Sequence, residues 1–209
     1  MSLDYNAVYI AAVQRTLDAY DRGQVAFVSE HDLQADLVHR CKEIMAERNF
    51  PTPFNIASDV AVTRPEARRH QFFDIVLGLP VESSSRVLDR TTPRTPWSVS
   101  DGANVVVEIK FERVVAPSAQ RRSRDLSETV CLREDLEKDL LKLAGCAGSI
   151  RHRHFLLVDE RGYWAPRLTA EDVSRLARVR GEWHQRRTAA GAAYGLLAID
   201  FPIRDQSRG

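Results

Sequence analysis

Residues 103–113, ANVVVEIKFER, constrain this chain more than any other stretch. A dense β-branched run that follows the turn signal Asp101-Gly102 predicts a strand. Side chains alternate across a strand, so Val105, Val107, Ile109 and Phe111 form one apolar face while Glu108 and Lys110 share the other. A carboxylate and an ammonium are thereby held side by side inside an apolar run. The same alternation also describes the wet face of an ordinary half-buried strand, because short motifs recur by chance.

Asp74 adds the second constraint. It interrupts the predicted strand 71–79 (QFFDIVLGL), where a charge is costly unless something stabilises it. If that strand pairs with 103–113, Asp74 and Glu108 can converge on one cation. Two hard carboxylates suit Mg²⁺ or Mn²⁺ better than zinc. Asp59, in the predicted strand 55–63, is the rival and ranks lower. Its neighbours Ala57, Ser58 and Ala61 are less apolar, and its strand is one step further away.

The remaining elements follow from periodicity and punctuation. Apolar residues at helical spacing predict a helix over 3–21, ending at Gly23, and a second from Ser29 to about Arg48, with Ser29 and Asp32 as a capping pair. A long helix is expected over 125–144, a strand over 154–160, a basic helix over 169–187 capped by Thr169, and a last strand over 194–201. The polar stretch 80–100 reads as a long loop. The expected order is α, α, β, β, β, α, β, α, β. This is an α/β chain with a central mixed sheet flanked by helices, an antiparallel hairpin or meander at its centre, and later strands added through helical crossovers.

At 209 residues the whole chain, 1–209, is expected to form a single domain. No apolar run is long enough to span a bilayer and no basic leader opens the chain, so the expectation is a cytoplasmic protein with no membrane partner. The three cysteines, Cys41, Cys131 and Cys146, do not make a disulfide framework; Cys41 and Cys131 read as core residues. Cys146 with His152 and His154 lacks a fourth zinc ligand. Net charge is only +1, but basic residues bunch at 64–70, 121–124, 151–154 and 178–187. Each cluster alone reads as solvated surface, and together they allow a phosphate-facing side.

The second helix offers a third acid. At about 100° per residue, Leu33, Leu37, Cys41 and Ile44 define its apolar face, Glu30 lies near the middle of that face, and Asp36 lies opposite. Glu30 is then either a site residue or a first-turn charge favoured by the helix dipole. Gln34 flanks the same face and can hydrogen-bond the site.

The series Glu30 in an early helix, Asp74 in one strand and Glu108-Ile109-Lys110 in the next resembles the PD-(D/E)xK nuclease superfamily, of restriction-endonuclease-like fold. The family's αβββαβ core corresponds to about 29–160, with the N-terminal helix and a C-terminal helix-strand outside it. One departure is Phe73, where the family's pattern has proline. The resemblance implies a hydrolase that cleaves phosphodiester bonds with Mg²⁺ (or Mn²⁺). Its metal would sit on Asp74, Glu108 and the Ile109 backbone carbonyl, with Glu30 as a further ligand or holder of metal-bound water. Lys110 would orient or deprotonate the attacking water or stabilise charge beside it. Lys138 and Lys142, one turn apart, are either a charged outer face or phosphate contacts. Trp97 either stacks on a base or pins its loop. DNA is the implied substrate, with RNA the alternative, and a homodimer would supply one site per strand of a duplex. A catalytically silent nucleic-acid-binding or assembly module of the same fold is the competing reading.

Overall fold

The computed structural model describes residues 4–50, 56–63, 71–78, 97–98, 104–112, 126–146 and 150–201. Helix α1 (Tyr5–Asp21) starts where the Asp4 side chain accepts the Ala7 N–H, and α2 (Glu30–Glu47) starts at a full capping box of Ser29 and Asp32. Each cap satisfies backbone donors that the first turn leaves without intrahelical partners. The two helices pack together. Arg15 forms a two-pronged ion pair with Glu47 at 2.7 Å, and buried Thr16 donates to Asp36 at 2.7 Å.

The strands are β1 (Ile56–Thr63), β2 (Gln71–Leu77), β3 (Trp97–Ser98), β4 (Val105–Glu112), β5 (His152–Asp159), β6 (Glu182–Arg187) and β7 (Ala193–Phe201). They form one mixed sheet in the order β3-β1-β2-β4-β5-β7-β6. β1, β2 and β4 run as an antiparallel meander. Helix α3 (Leu126–Gly145) then connects β4 to its parallel neighbour β5, a pairing that a tight turn cannot close. Helix α4 (Ala170–Ala177) follows, and β7 joins β5 and β6 antiparallel.

Alternation along the strands divides the core in two. Ile75, Leu77, Val105, Val107, Ile109, Leu156 and Val158 pack against α1 and α2. Val76, Val106, Phe155, Leu157, Leu197 and Ile199 pack against α3 and α4 through Leu136, Leu140, Leu143 and Val173. Helices thus cover both sheet faces. Among the described residues no helix is long and apolar enough to cross a membrane.

Three expectations need correction. The first is the basic helix over 169–187, which stops at Ala177. Arg178 adopts a left-handed conformation (φ 57°), and the chain resumes as strand β6. Trp183 anchors that strand: its indole donates to the Leu168 carbonyl at 2.7 Å, and a side chain at Gly195 would stand 3.2 Å from its ring. The other β6 positions are charged or polar, which suits an outer strand that must resist pairing with another sheet. Gly191, at φ 84°, turns the chain from β6 into β7. The second correction is Trp97–Ser98, which pairs in parallel with β1 inside the stretch read as loop.

The third concerns the basic cluster at 151–154. Arg153 and His154 lie in β5 and are buried, so half of that cluster belongs to the core. Arg153 donates to the Leu143 carbonyl at 3.0 Å and stacks over Phe201; His154 meets Asn6 at 2.7 Å and the Tyr9 ring. Cys146 packs on the α3 side of the sheet and His154 against α1, which separates the imagined zinc ligands. The clusters at 64–70 and 121–124, the side chains of Asp59, Trp97 and Cys131, and most of the loop 80–100 lie outside the described residues.

Candidate active site

The site forms where two strands part. β2 and β4 pair only at Leu77↔Val105, Val76↔Val106 and Ile75↔Val107. Beyond that point β2 stays with β1 as far as Gln71, while β4 stays with β5 as far as Glu112. The parting strands leave backbone groups without ladder partners, and side chains supply them. Asp74 Oδ2 accepts the Ile109 N–H at 2.6 Å, and Gln34 Nε2 donates to the Asp74 carbonyl at 2.5 Å. Gln34 Oε1 in turn meets His31 Nδ1 at 3.2 Å. The N–H and C=O of one strand residue project to the same edge, so the Ile109 carbonyl also faces the gap.

Glu108 and Lys110 lie one step either side of Ile109. Glu108 is 2% exposed, and its Oε1 makes an ion pair with Lys142 Nζ at 2.6 Å. Lys110 Nζ reaches Glu30 Oε1 at 3.4 Å and Asp139 Oδ2 at 3.2 Å, while Asp139 Oδ1 holds Lys142 at 3.2 Å. The structure thus gathers Glu30, Gln34, Asp74, Glu108, Lys110 and Lys142 from the sequence-derived set. Lys138 is not gathered: it is exposed and pairs with Asp135 at 3.2 Å. Asp36 faces α1 through Thr16, away from this cluster.

Asp139 is the residue that sequence reasoning missed. It lies beside Leu136, Leu140 and Leu143 on the inner side of α3, whereas Lys138 lies about 180° from that stripe. The 3.6-residue period that separates Glu30 from Asp36 separates Asp139 from Lys138 in the same way. Four carboxylates here face two ammoniums, so full ionisation leaves a surplus of two negative charges. Burial pushes Glu30 and Asp74 above the usual carboxylate range; Lys110 opposes that rise for Glu30, and the Ile109 N–H opposes it for Asp74. Burial acts to lower Lys110, but the surrounding carboxylates outweigh it and raise the group above the ordinary lysine value.

The donor chemistry fits a hard divalent cation. Asp74, Glu108 and the Ile109 carbonyl offer only oxygen, the donor that such an ion prefers. Among the described residues no three His, Cys, Asp or Glu side chains are already disposed to hold a metal; the two lysines occupy the carboxylates instead. Compared with known proteins, the chain matches no family model, no curated protein and no solved structure.

The buried groups predict a two-sided pH dependence. Glu108 is pushed up to about 9, first by burial, with Lys142 opposing and Asp74 and Asp139 reinforcing the rise. An unfolded glutamate titrates near ~4.3, so the stability this group contributes is fully present below that value and is lost as pH rises through the folded value. His154 has the opposite sign: burial first, then His152 and Arg153, hold it down at about 3. Its contribution is present above the unfolded value of ~6.5 and is lost as pH falls toward the folded one. In EDTA, stability should therefore be greatest between about pH 4.3 and 6.5, where the two slopes oppose each other. Glu108→Gln should flatten the alkaline branch and leave the acid branch alone, as read by urea midpoints from pH 3 to 9. An unchanged alkaline slope in Glu108→Gln would contradict the assignment.

Proposed function

We propose that this protein is a metal-dependent nuclease of the restriction-endonuclease-like kind that hydrolyses DNA phosphodiester bonds. The observation that carries the reading is the parting of β2 and β4, which brings Asp74, Glu108 and Lys110 around one gap with Glu30 reaching in from α2. The element order supports it: an antiparallel three-strand meander, a helix, then a parallel strand, preceded by the helix that carries Glu30.

Asp74, Glu108 and the Ile109 carbonyl would hold Mg²⁺ or Mn²⁺. Such an ion, when bound, polarises the phosphate and acidifies a water. Asp74 also fixes the backbone of the neighbouring strand, so the two carboxylate-bearing strands cannot drift apart without losing that hydrogen bond. Lys110 is an ammonium held between Glu30 and Asp139. Of the roles open to it, orienting the water and stabilising charge at the phosphate suit that protonation state; abstraction of a proton does not. Glu30 steadies Lys110 from the helix. One site per strand would call for two copies on a duplex.

A silent nucleic-acid-binding or assembly module is favoured by one observation: Lys142 already pairs with Glu108 at 2.6 Å, as in a purely structural network. Thermal denaturation separates the metal site from that network. A ligand that binds only the folded state stabilises it by ~2.7 kcal/mol at a hundred times its Kd. Mg²⁺ or Mn²⁺ should therefore raise the melting temperature over EDTA, and Asp74→Asn should erase the rise. Equal melting temperatures for the wild type in all three conditions would remove the metal site.

A further inference from the structure

Lys142 stands in a position that the proposed mechanism does not use. It comes from α3, not from either carboxylate-bearing strand, yet its ammonium is 2.6 Å from the most deeply buried acid of the cluster. Its second anchor, Asp139 Oδ1 at 3.2 Å, lies one helical turn away on the same helix, and its ammonium also lies 5.2 Å from the centre of the Phe73 ring. The ammonium takes the place on Glu108 that a metal ion would need, so the two cannot hold that oxygen together.

We propose that Lys142 is the resident counter-cation of the metal seat: its ammonium occupies Glu108 until a divalent cation displaces it onto Asp139. The inference rests on the metal-dependent reading above. Lys142 and the ion are then competitors for one carboxylate, so part of the metal's binding energy goes into evicting the lysine. The flexible four-carbon stem of a lysine suits such movement, whereas the rigid fork of an arginine does not. Asp139 is what makes eviction tolerable, because the displaced ammonium keeps that acid as a partner. With Lys110 held on the other oxygen of Asp139, both ammoniums then stand on the α3 side of the gap, where a phosphate would meet them.

The test is Mn²⁺ binding to the purified protein, by calorimetry, for wild type, Lys142→Met, Lys142→Gln and Lys138→Met. Lys138→Met removes the same charge from the same helix at an exposed position. Both Lys142 variants should bind Mn²⁺ at least about tenfold more tightly than wild type, equivalent to ~1.4 kcal/mol, and should melt at lower temperature in EDTA. Lys138→Met should match wild type on both counts. If wild type binds Mn²⁺ and the folded Lys142 variants bind equally or more weakly, or if Lys138→Met tightens binding as much, the counter-cation role is overturned while the metal site survives. If no folded variant and no wild type binds Mn²⁺, the metal-dependent reading fails and takes this inference with it.

Discussion

Lys110→Ala should abolish DNA cleavage while leaving Mn²⁺ binding intact, and Asp74→Asn should lose both. The lysine contacts Glu30 and Asp139 and makes no described contact with Asp74 or Glu108. Its removal therefore takes away the group proposed to act on the water and spares the proposed ligands. The loss expected from removing a positioned proton-handling or water-orienting group is roughly 10²–10⁴-fold. Affinity for the ion should hold or rise, because one positive charge leaves the neighbourhood of Asp74 and Glu108. Asp74 is different because it has two roles: it is a proposed ligand, and it accepts the Ile109 N–H at 2.6 Å. Asparagine keeps an acceptor for that amide and loses the charge, so Asp74→Asn isolates the ligand role where Asp74→Ala would confuse it with unfolding. Calorimetric Mn²⁺ titrations beside cleavage rates read the two effects separately. Wild-type cleavage by Lys110→Ala would mean that the lysine is structural or that the activity comes from a contaminant.

Glu30→Gln should cripple cleavage, and Asp36→Asn should be nearly silent in activity although it costs stability. Both changes preserve size and remove one charge, so any difference reports position. Glu30 holds Lys110 across the gap at 3.4 Å, and loss of such a supporting partner typically costs 10–100-fold. Asp36 accepts from buried Thr16 at 2.7 Å and lies near Arg40, which ties α2 to α1. Weakening that hydrogen bond should lower stability by about 1 kcal/mol, visible in the urea midpoint and absent from the cleavage rate. A dead Asp36→Asn variant that still folds would place the acidic helix position on the wrong residue.

Much of this site was legible because strands and helix faces have fixed periods. The two-residue alternation put Glu108 and Lys110 on one side of β4 against Val107, Ile109 and Phe111, and the expense of Asp74 in an apolar run marked it as a partnered charge. The 3.6-residue period turns Glu30 and Asp36 to different neighbours. Asp139 escaped because LEKDLLKL has charges on every side of its helix, and only the wheel separates the inner acid from the outer lysine. The end of α4 escaped because it depends on one left-handed residue, Arg178, and on a tryptophan that finds its partner in the bend before that helix. Arg153 looked like surface because its buried acceptor, the Leu143 carbonyl, belongs to a helix end. Where the ladder between β2 and β4 stops is a tertiary property, and no local pattern announces it.

The measurement that tests the account most directly is DNA cleavage by purified protein with Mg²⁺, Mn²⁺ or EDTA, on supercoiled, linear, branched and single-stranded substrates. The account predicts cleavage of at least one substrate with a divalent ion, none in EDTA, and none by Lys110→Ala prepared in parallel. Protein that folds and binds DNA, yet cuts no substrate with either ion, would contradict it and leave the lysine-paired cluster as structure without catalysis.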